Sequence, residues 1–459
     1  MSGSDNRWLV RSIVFAQFGP AFMFSGVAIA LPHMGKELSM SATSLGLVET
    51  TFIASSTAFL LPAGRLVDVA SRGAIFRWSL AAFGVLSLLL GLVNHVWVVL
   101  LLRVLQGLAA ALCTAAGPAL LMDLVPSERR GRIFGAMLGM AYAGLALGPF
   151  AAGWIIDQLG WRSVFYVGGA WILIGGIPAL VQIKEKWRRP TSGMHWPSVL
   201  LIVFGMASVV AAVSAGERNA SPWPWAAAAS ALLGGFVVWQ ARLTSPLLDL
   251  RELRANAVLR GALGVQSLLY LNAYCSIFLL SLFLQVSKGL DAPSAGLWLA
   301  TGALVMAVVA PSAGRLADRM RPQRVAGLGV VSVLASSVLG YQLGAGSPAW
   351  HVGLVLGVQG LGFGLFSSPN LSLIIGSLPR AQSGFASAVA AQSRGIGMFA
   401  GMAVTSALIA SQFGARAVDE DGAGVIAIVQ RAYVVLLVTS ALALLLAVGG
   451  ALRVRVKTR

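Results

Sequence analysis

The chain alternates long apolar runs with short polar punctuation. The runs fall at 12–32, 45–66, 76–94, 97–121, 134–156, 163–182, 197–214, 224–240, 261–286, 294–313, 325–344, 350–378, 383–411 and 428–452. About twenty apolar residues in a helix span about 30 Å of hydrocarbon. Hydrocarbon offers no water to backbone groups, so each run is predicted to be an α-helix. Barrel strands would alternate in polarity over about ten residues, and no such pattern occurs. The pattern predicts an all-α membrane protein with fourteen transmembrane helices. Runs seven and eight are short and meet at a turn rich in Pro and Trp, Ser221-Pro222-Trp223-Pro224-Trp225. The first run follows Arg7 and Arg11 and has no small-residue cleavage site after it, so it is expected to stay as a helix.

Composition agrees with the pattern. Of 459 residues, 57% are hydrophobic and 11% charged, against about 25% charged in soluble domains. The net charge of +17 invites a nucleic-acid reading, but the placement of the charges gives another. With the N-terminus inside, inner segments hold 25 of the 33 Lys and Arg residues. The outer loops hold six: Lys36, Arg162, Arg218, Lys288, Arg416 and Arg431. Arg103 and Arg394 lie within runs. This bias is a topology signal. It predicts cytoplasmic N- and C-termini, lipid as the partner of the basic surface, and no nucleic acid. Cys113 and Cys275 fall inside apolar runs and read as buried free thiols; no metal site is expected.

The chain also repeats. Pro62-Ala63-Gly64-Arg65-Leu66-Val67-Asp68 closes run two. Pro311-Ser312-Ala313-Gly314-Arg315-Leu316-Ala317-Asp318 closes run ten, 250 residues later by the aspartates. Each copy ends the second helix of a six-helix block. This divides the chain into a bundle at 1–190, a two-helix link at 191–258 and a second bundle at 259–459. Parallel halves that rock about a central site are a transporter design. In each copy the Gly admits a close neighbour, and the Asp can pair with arginines such as Arg72 or with a helix N-terminus. A plain helix end with topogenic charges would explain one copy but not two.

These segments resemble signatures of the major facilitator superfamily. The repeated segment is similar to its loop motif between helices two and three. Arg103-Val104-Leu105-Gln106-Gly107 resembles its Arg-x-x-Gln-Gly signature in helix four. Gly135, Gly144, Gly148-Pro149 and Gly153 resemble its antiporter signature in helix five, with Ala152 where the family has Gly. Trp161 to Phe165, Pro246 to Arg251, and Leu284-Gln285 with Gly289 are similar to segments of the fourteen-helix drug:proton antiporters. The resemblance implies a major facilitator fold, two six-helix bundles with two extra central helices. It implies export of small amphipathic or toxic compounds by alternating access, driven by proton influx. It also implies a monomer in the cell inner membrane, of multidrug-efflux and antibiotic-resistance type, with protons and a small molecule as partners and no cofactor.

Three charges inside runs carry the expected coupling. Arg103 at mid-span costs at least about 2.5–3.5 kcal/mol on insertion scales, so it must face the protein interior. It serves proton coupling or a structural ion pair. Arg394 raises the same choice beside a packing seam of Gly395, Gly397 and Gly401. Glu49 is the one carboxylate well inside a run. A cavity-facing acid binds a proton or a cationic substrate, and their competition is the core of exchange; otherwise it is an acid near a helix start, held by the dipole. One position departs from the family pattern: Met23 stands where helix one usually has Asp, and Ala28 where it has Asn. Coupling then shifts to Glu49, or differs in kind.

Phe22, Met23, Tyr142, Tyr270, Asn272 and Gln359 are candidates to line an adaptable cavity, or to pack and satisfy one another within the bundles. No Gly-x4-Gly-Lys-Ser/Thr loop is present to bind ATP. The four histidines sit at run ends or in loops, and no catalytic cluster is legible. A dedicated exporter or facilitator of one metabolite is the competing transport reading.

Overall fold

The computed structural model describes residues 3–125, 127–183, 195–215, 220–243, 246–247, 250–378, 383–413 and 422–457. Within them the chain is helical, with no strand. The first apolar run forms two helices, α1 (Gly3–Ala16) and α2 (Phe18–Glu37). The break has a covalent cause: Pro20 lacks the N–H that would bond Ala16 O four residues back. The Gln17 N–H turns to Val14 O instead, at 3.2 Å. Then follow α3 (Ala42–Val69), α4 (Arg72–Leu90), α5 (Val96–Leu124), α6 (Ser127–Leu159) and α7 (Arg162–Gln182). The linking pair is α8 (Trp196–Ser214) and α9 (Trp223–Arg242). A short α10 (Leu250–Ala255), which the hydrophobic pattern did not anticipate, leads into α11 (Ala257–Leu282) and a π turn (Phe283–Ser287). The last helices are α12 (Ala292–Arg319), α13 (Pro322–Tyr341), α14 (Ala349–Gly376), α15 (Ser383–Phe413) and α16 (Gly422–Lys457).

Counting α1 with α2, and α11 with its π turn, 13 helices among the described residues are long and apolar enough to cross a membrane. α9 is the remaining member of the predicted fourteen. Its Trp, Pro and Gln residues dilute its apolar content, and it pairs with α8. The sequence repeat has a structural counterpart. α3 and α12 are each 28 residues long and are offset by 250 residues at both ends. Ser41, Ser71 and Asn256 start their helices by accepting the N–H of Ser44, Ala74 and Leu259.

α1 to α7 pack on one another, as do α11 to α16. The contacts within each group depend on residues with little or no side chain. A Cβ on Gly107 of α5 would collide with Phe52 O of α3, and one on Gly397 of α15 with Ser267 O of α11. The linking pair lies across the boundary between the groups: α8 touches both α3 and α15. Leu61 of α3, Ile202 of α8 and Phe236 of α9 form a small apolar cluster there.

We call the side carrying the N-terminus the near face and the other the far face. Two seams join the groups. Along α3 and α15, Thr50 Oγ1 meets Ser406 Oγ at 2.7 Å, Gly46 abuts Ser406, and Gln392 Nε2 donates to Thr57 O at 3.3 Å. Along α6 and α12, Gly153 lies under Ala292 O and Gly296 under Pro149 O. Ser281 Oγ donates to Ala28 O at 2.8 Å, and the rings of Phe24 and Tyr274 meet at a tilt of 36° with centroids 4.4 Å apart. Chain direction places all of these in the far half or at the middle. Among the described residues, none of these bonds or glycine contacts lies nearer the near face than Thr57. A Cβ on Gly64, about four turns of helix from Thr50 toward the near face, would meet nothing within 4 Å. The molecule is closed at its far side.

This closure predicts a cross-link. An ideal Cβ on Gly46 lies 3.2 Å from Ser406 Cβ, close to the Cβ separation of disulfides. Cysteines at Gly46 and Ser406 are expected to bond under mild oxidation, leaving no thiol reactive to maleimide beyond buried Cys113 and Cys275. Two freely reactive thiols would show that the far seam is open.

Candidate functional site

α3 presents two working faces. One meets α15 through Gly46, Thr50 and Thr57. The other meets α5 and carries Glu49. α5 runs parallel to α3, and each charge is the eighth residue of its helix, so Glu49 and Arg103 lie at one depth. Gly107 brings the backbones together one turn further along. Arg103 Nη2 donates to Glu49 Oε1 at 2.6 Å, and the side chains are 1% and 2% exposed. Every guanidinium nitrogen is used: Nε donates to Val48 O at 3.0 Å and Nη1 to Gln106 Oε1 at 2.8 Å. The guanidinium lies 4.5 Å above the Phe52 ring. Gln106 continues the network to Ser87 Oγ at 2.8 Å, which itself donates to Phe83 O.

One atom in this network is left over. Glu49 Oε2 is buried and accepts no hydrogen bond. A buried carboxylate oxygen without a donor is costly and is a natural place for a proton. The two charges otherwise cancel. The network ties α3, α4 and α5 together through side chains that had to be charged or polar.

Arg394 of α15 is differently placed. Gln392 and Gly395 touch α3; Ser393 and Gly397 touch α11. At 3.6 residues per turn Arg394 lies between these contacts, opposite exposed Ile396. It therefore faces the space between the two groups of helices. Tyr274 of α11 is near enough to interact with the charges of both Glu49 and Arg394. From Tyr274 a run of rings extends in two directions. Phe24 of α2 lies at 4.4 Å; Tyr270 lies at 6.4 Å, and Phe363 of α14 stands edge-on to it at 5.4 Å. Phe24 and Tyr274 are cavity candidates by residue type, but that they and Phe363 form one surface was not legible in the sequence, because their alignment depends on how α2, α11 and α14 turn toward each other.

The remaining candidates scatter. Tyr270 lies on the aromatic run. Phe22 and Met23 are buried within the first bundle, where Met23 Sδ fills the space beside Gly168 of α7. Asn272 and Gln359 lie inside the second bundle. Asn272 Nδ2 bonds Ser337 Oγ at 2.9 Å and Ser440 Oγ at 2.8 Å, and Gln359 Nε2 bonds Asn272 Oδ1 at 2.8 Å. Their amides knit α11, α13, α14 and α16, so these two, Phe22 and Met23 pack rather than line the space between the groups. Gly144 and Gly148 seat α6 against α2, while Pro149 and Gly153 seat it against α12. Arg72 pairs with Asp123 of α5 at 2.8 Å. Gly314 has only Ser368 Oγ near it, at 3.8 Å. The side chains of Asp68, Asp318 and Tyr142 lie outside the described part of the structure.

Comparison with known proteins gives one family. The sequence model of the Major Facilitator Superfamily matches residues 13–267 and 262–458. Multidrug resistance protein Stp of Mycobacterium tuberculosis is 26% identical over 425 residues, 88% of this chain and 77% of its own. The tetracenomycin C resistance and export protein of Streptomyces glaucescens is 26% identical over 404 residues, 84% of this chain and 73% of its own. The chain spans 66% of the length of one curated relative, an MFS-type transporter of Bacillus subtilis, and 92% of another, the puromycin resistance protein of Streptomyces alboniger. In fold it is similar to a bacterial homologue of the human lysosomal transporter Spinster, solved in an inward-facing and occupied conformation. That likeness has a TM-score of 0.69 at 14% identity and covers 98% of each chain.

Removing one member of a buried pair costs about 3–5 kcal/mol in soluble proteins. Arg103→Gln is therefore expected to lower the thermal midpoint of the detergent-purified protein by several degrees. Glu49→Gln with Arg103→Gln should recover part of that loss, since neither charge is then stranded. Strictly additive midpoints would show that the two side chains are not coupled.

Proposed function

The chain belongs to the Major Facilitator Superfamily and is a multi-pass membrane transporter rather than an enzyme, and from that premise we propose that it exports small amphipathic compounds by alternating access, driven by proton influx. The near face is then cytoplasmic, as the basic bias of its loops requires, and the membrane is the cell inner membrane. The closed far seam makes the structure an inward-facing state.

The observation that carries this reading is the buried Glu49–Arg103 pair, with Glu49 Oε2 free, on the helix that also forms the seam. α3 cannot move against α5 without disturbing the pair, or against α15 without disturbing Thr50 and Ser406. A proton arriving on Glu49 neutralises the carboxylate. Arg103 is then a buried cation with no counter-charge, and such a state is relieved by rearrangement. If α3 shifts, the far seam loosens and Glu49 gains access to the other side. The proton thus acts on the conformational equilibrium through differential stability of the two states.

The repeated Gly64 and Gly314 segments, with Asp68, Arg72 and Asp318, suit the opposite task. They lie where the near side would close, and the unused approach at Gly64 is available to a neighbour in that state. The antiporter-like segment at Gly144, Gly148, Pro149 and Gly153 keeps α6 close to both α2 and α12. The resistance and export relatives support the direction of transport. Met23 in the helix-one position favours the second reading, a dedicated metabolite exporter or facilitator with weaker or different ion coupling.

Proteoliposomes with an imposed pH gradient test the proposal. Substrate movement should follow the gradient and collapse with an uncoupler; movement indifferent to it would favour the second reading. Glu49→Gln is expected to abolish gradient-driven transport by at least about tenfold while substrate exchange at zero gradient persists. Full gradient-driven activity in Glu49→Gln would make Glu49 structural.

A further inference from the structure

The charges facing the space between the bundles do not balance. Glu49 and Arg103 neutralise one another, and both are sealed from that space at 2% and 1% exposure. Arg394 is only half-buried. Among the described residues it has no carboxylate within ion-pair distance and no hydrogen-bond acceptor. It points between the contacts of α15 with α3 and α11, toward Tyr274 and the run of rings from Phe24 to Phe363. A pump for organic cations needs an unpaired acid at this place. This cleft presents an unpaired guanidinium near the Tyr274 ring, with Tyr270 6.4 Å from that ring.

Resting on the transport reading above, we infer that the cleft selects planar aromatic compounds carrying a carboxylate or another delocalised anion. The anion docks on Arg394, and the rings lie against Tyr270 and Tyr274. The chemistry is specific. A guanidinium presents paired N–H donors in one plane, matching the two oxygens of a carboxylate. In a cleft flanked by hydrocarbon the guanidinium lacks bulk water to offset its charge, so an arriving anion supplies the missing counter-charge. Aromatic side chains offer broad contact with little loss of rotamer freedom, which suits a family of related ring systems. An organic cation meets like charge at the same position and is disfavoured.

The test uses the detergent-purified full chain at neutral pH with no gradient, so it does not depend on coupling. Binding of fluorescein, an anionic planar dye, is compared with that of ethidium, a cationic one, by fluorescence polarisation. Fluorescein should bind at least about tenfold more tightly, the scale of one charge-assisted contact. Arg394→Gln should weaken fluorescein about tenfold and narrow the ratio between the dyes. Arg394→Lys keeps the charge without the planar fork and should fall between. Ethidium binding as tightly as fluorescein, no fluorescein binding, or fluorescein affinity unchanged in Arg394→Gln would each overturn the inference. The wild-type comparison stands even if a variant fails to fold. A clear preference for fluorescein with no response to a pH gradient would sink the coupling proposal and leave this one intact. Gradient-driven export of ethidium but not fluorescein would do the reverse.

Discussion

Helices in hydrocarbon gain little from burying leucine against leucine, because lipid tails are as apolar as any side chain. What remains is close approach and polar bonding, and the whole architecture depends on it. The backbones nearly touch at Gly107, Gly397 and Gly153. Hydroxyls and amides fill the places between, as in the Asn272–Ser337–Ser440–Gln359 cluster. The same constraint shapes the seams between the bundles. Thr50 with Ser406 and Gly46 beside Ser406 apply the same means between the two groups, within an apolar core that runs through both.

α3 concentrates the consequences. Its face toward α5 holds the one deeply placed acid, and its face toward α15 holds the far seam. Burying Glu49 requires a partner, and Arg103 meets that requirement with three hydrogen bonds of fixed direction. A charge change on one face is therefore felt on the other through a rigid helix. The geometry needs no longer pathway than the width of α3. α8, lying across α3 and α15, adds a third surface to the same junction.

The two intramembrane arginines show why a residue type does not settle a role. Arg103 and Arg394 look alike in sequence, each beside small residues in an apolar run. In the fold Arg103 is consumed by a network, whereas half-buried Arg394 faces between the two groups of helices, near Tyr274. Asn272 and Gln359 make the converse point. They looked like cavity residues, but each finds its partners inside one bundle. Met23 stands where the family resemblance leads one to expect an acid, and it packs against α7.

The order of helices, their crossing of the membrane, the repeat and the family were all legible from sequence. Each follows from a local rule: hydrocarbon forces helices, basic loops orient them, and Gly, Pro, Arg and Asp mark their ends. The break near residue 17 was not legible, because the hydrophobic pattern runs through it. Glu49 and Arg103 were identifiable as costly residues, because an intramembrane charge needs a reason wherever it lies. That they answer each other was not legible, since they are separated by 54 residues. Neither was the direction in which Arg394, Tyr270 and Tyr274 face. Those facts depend on the rotation of each helix about its own axis. Rotation is set by packing among many neighbours at once, and only the tertiary structure resolves it.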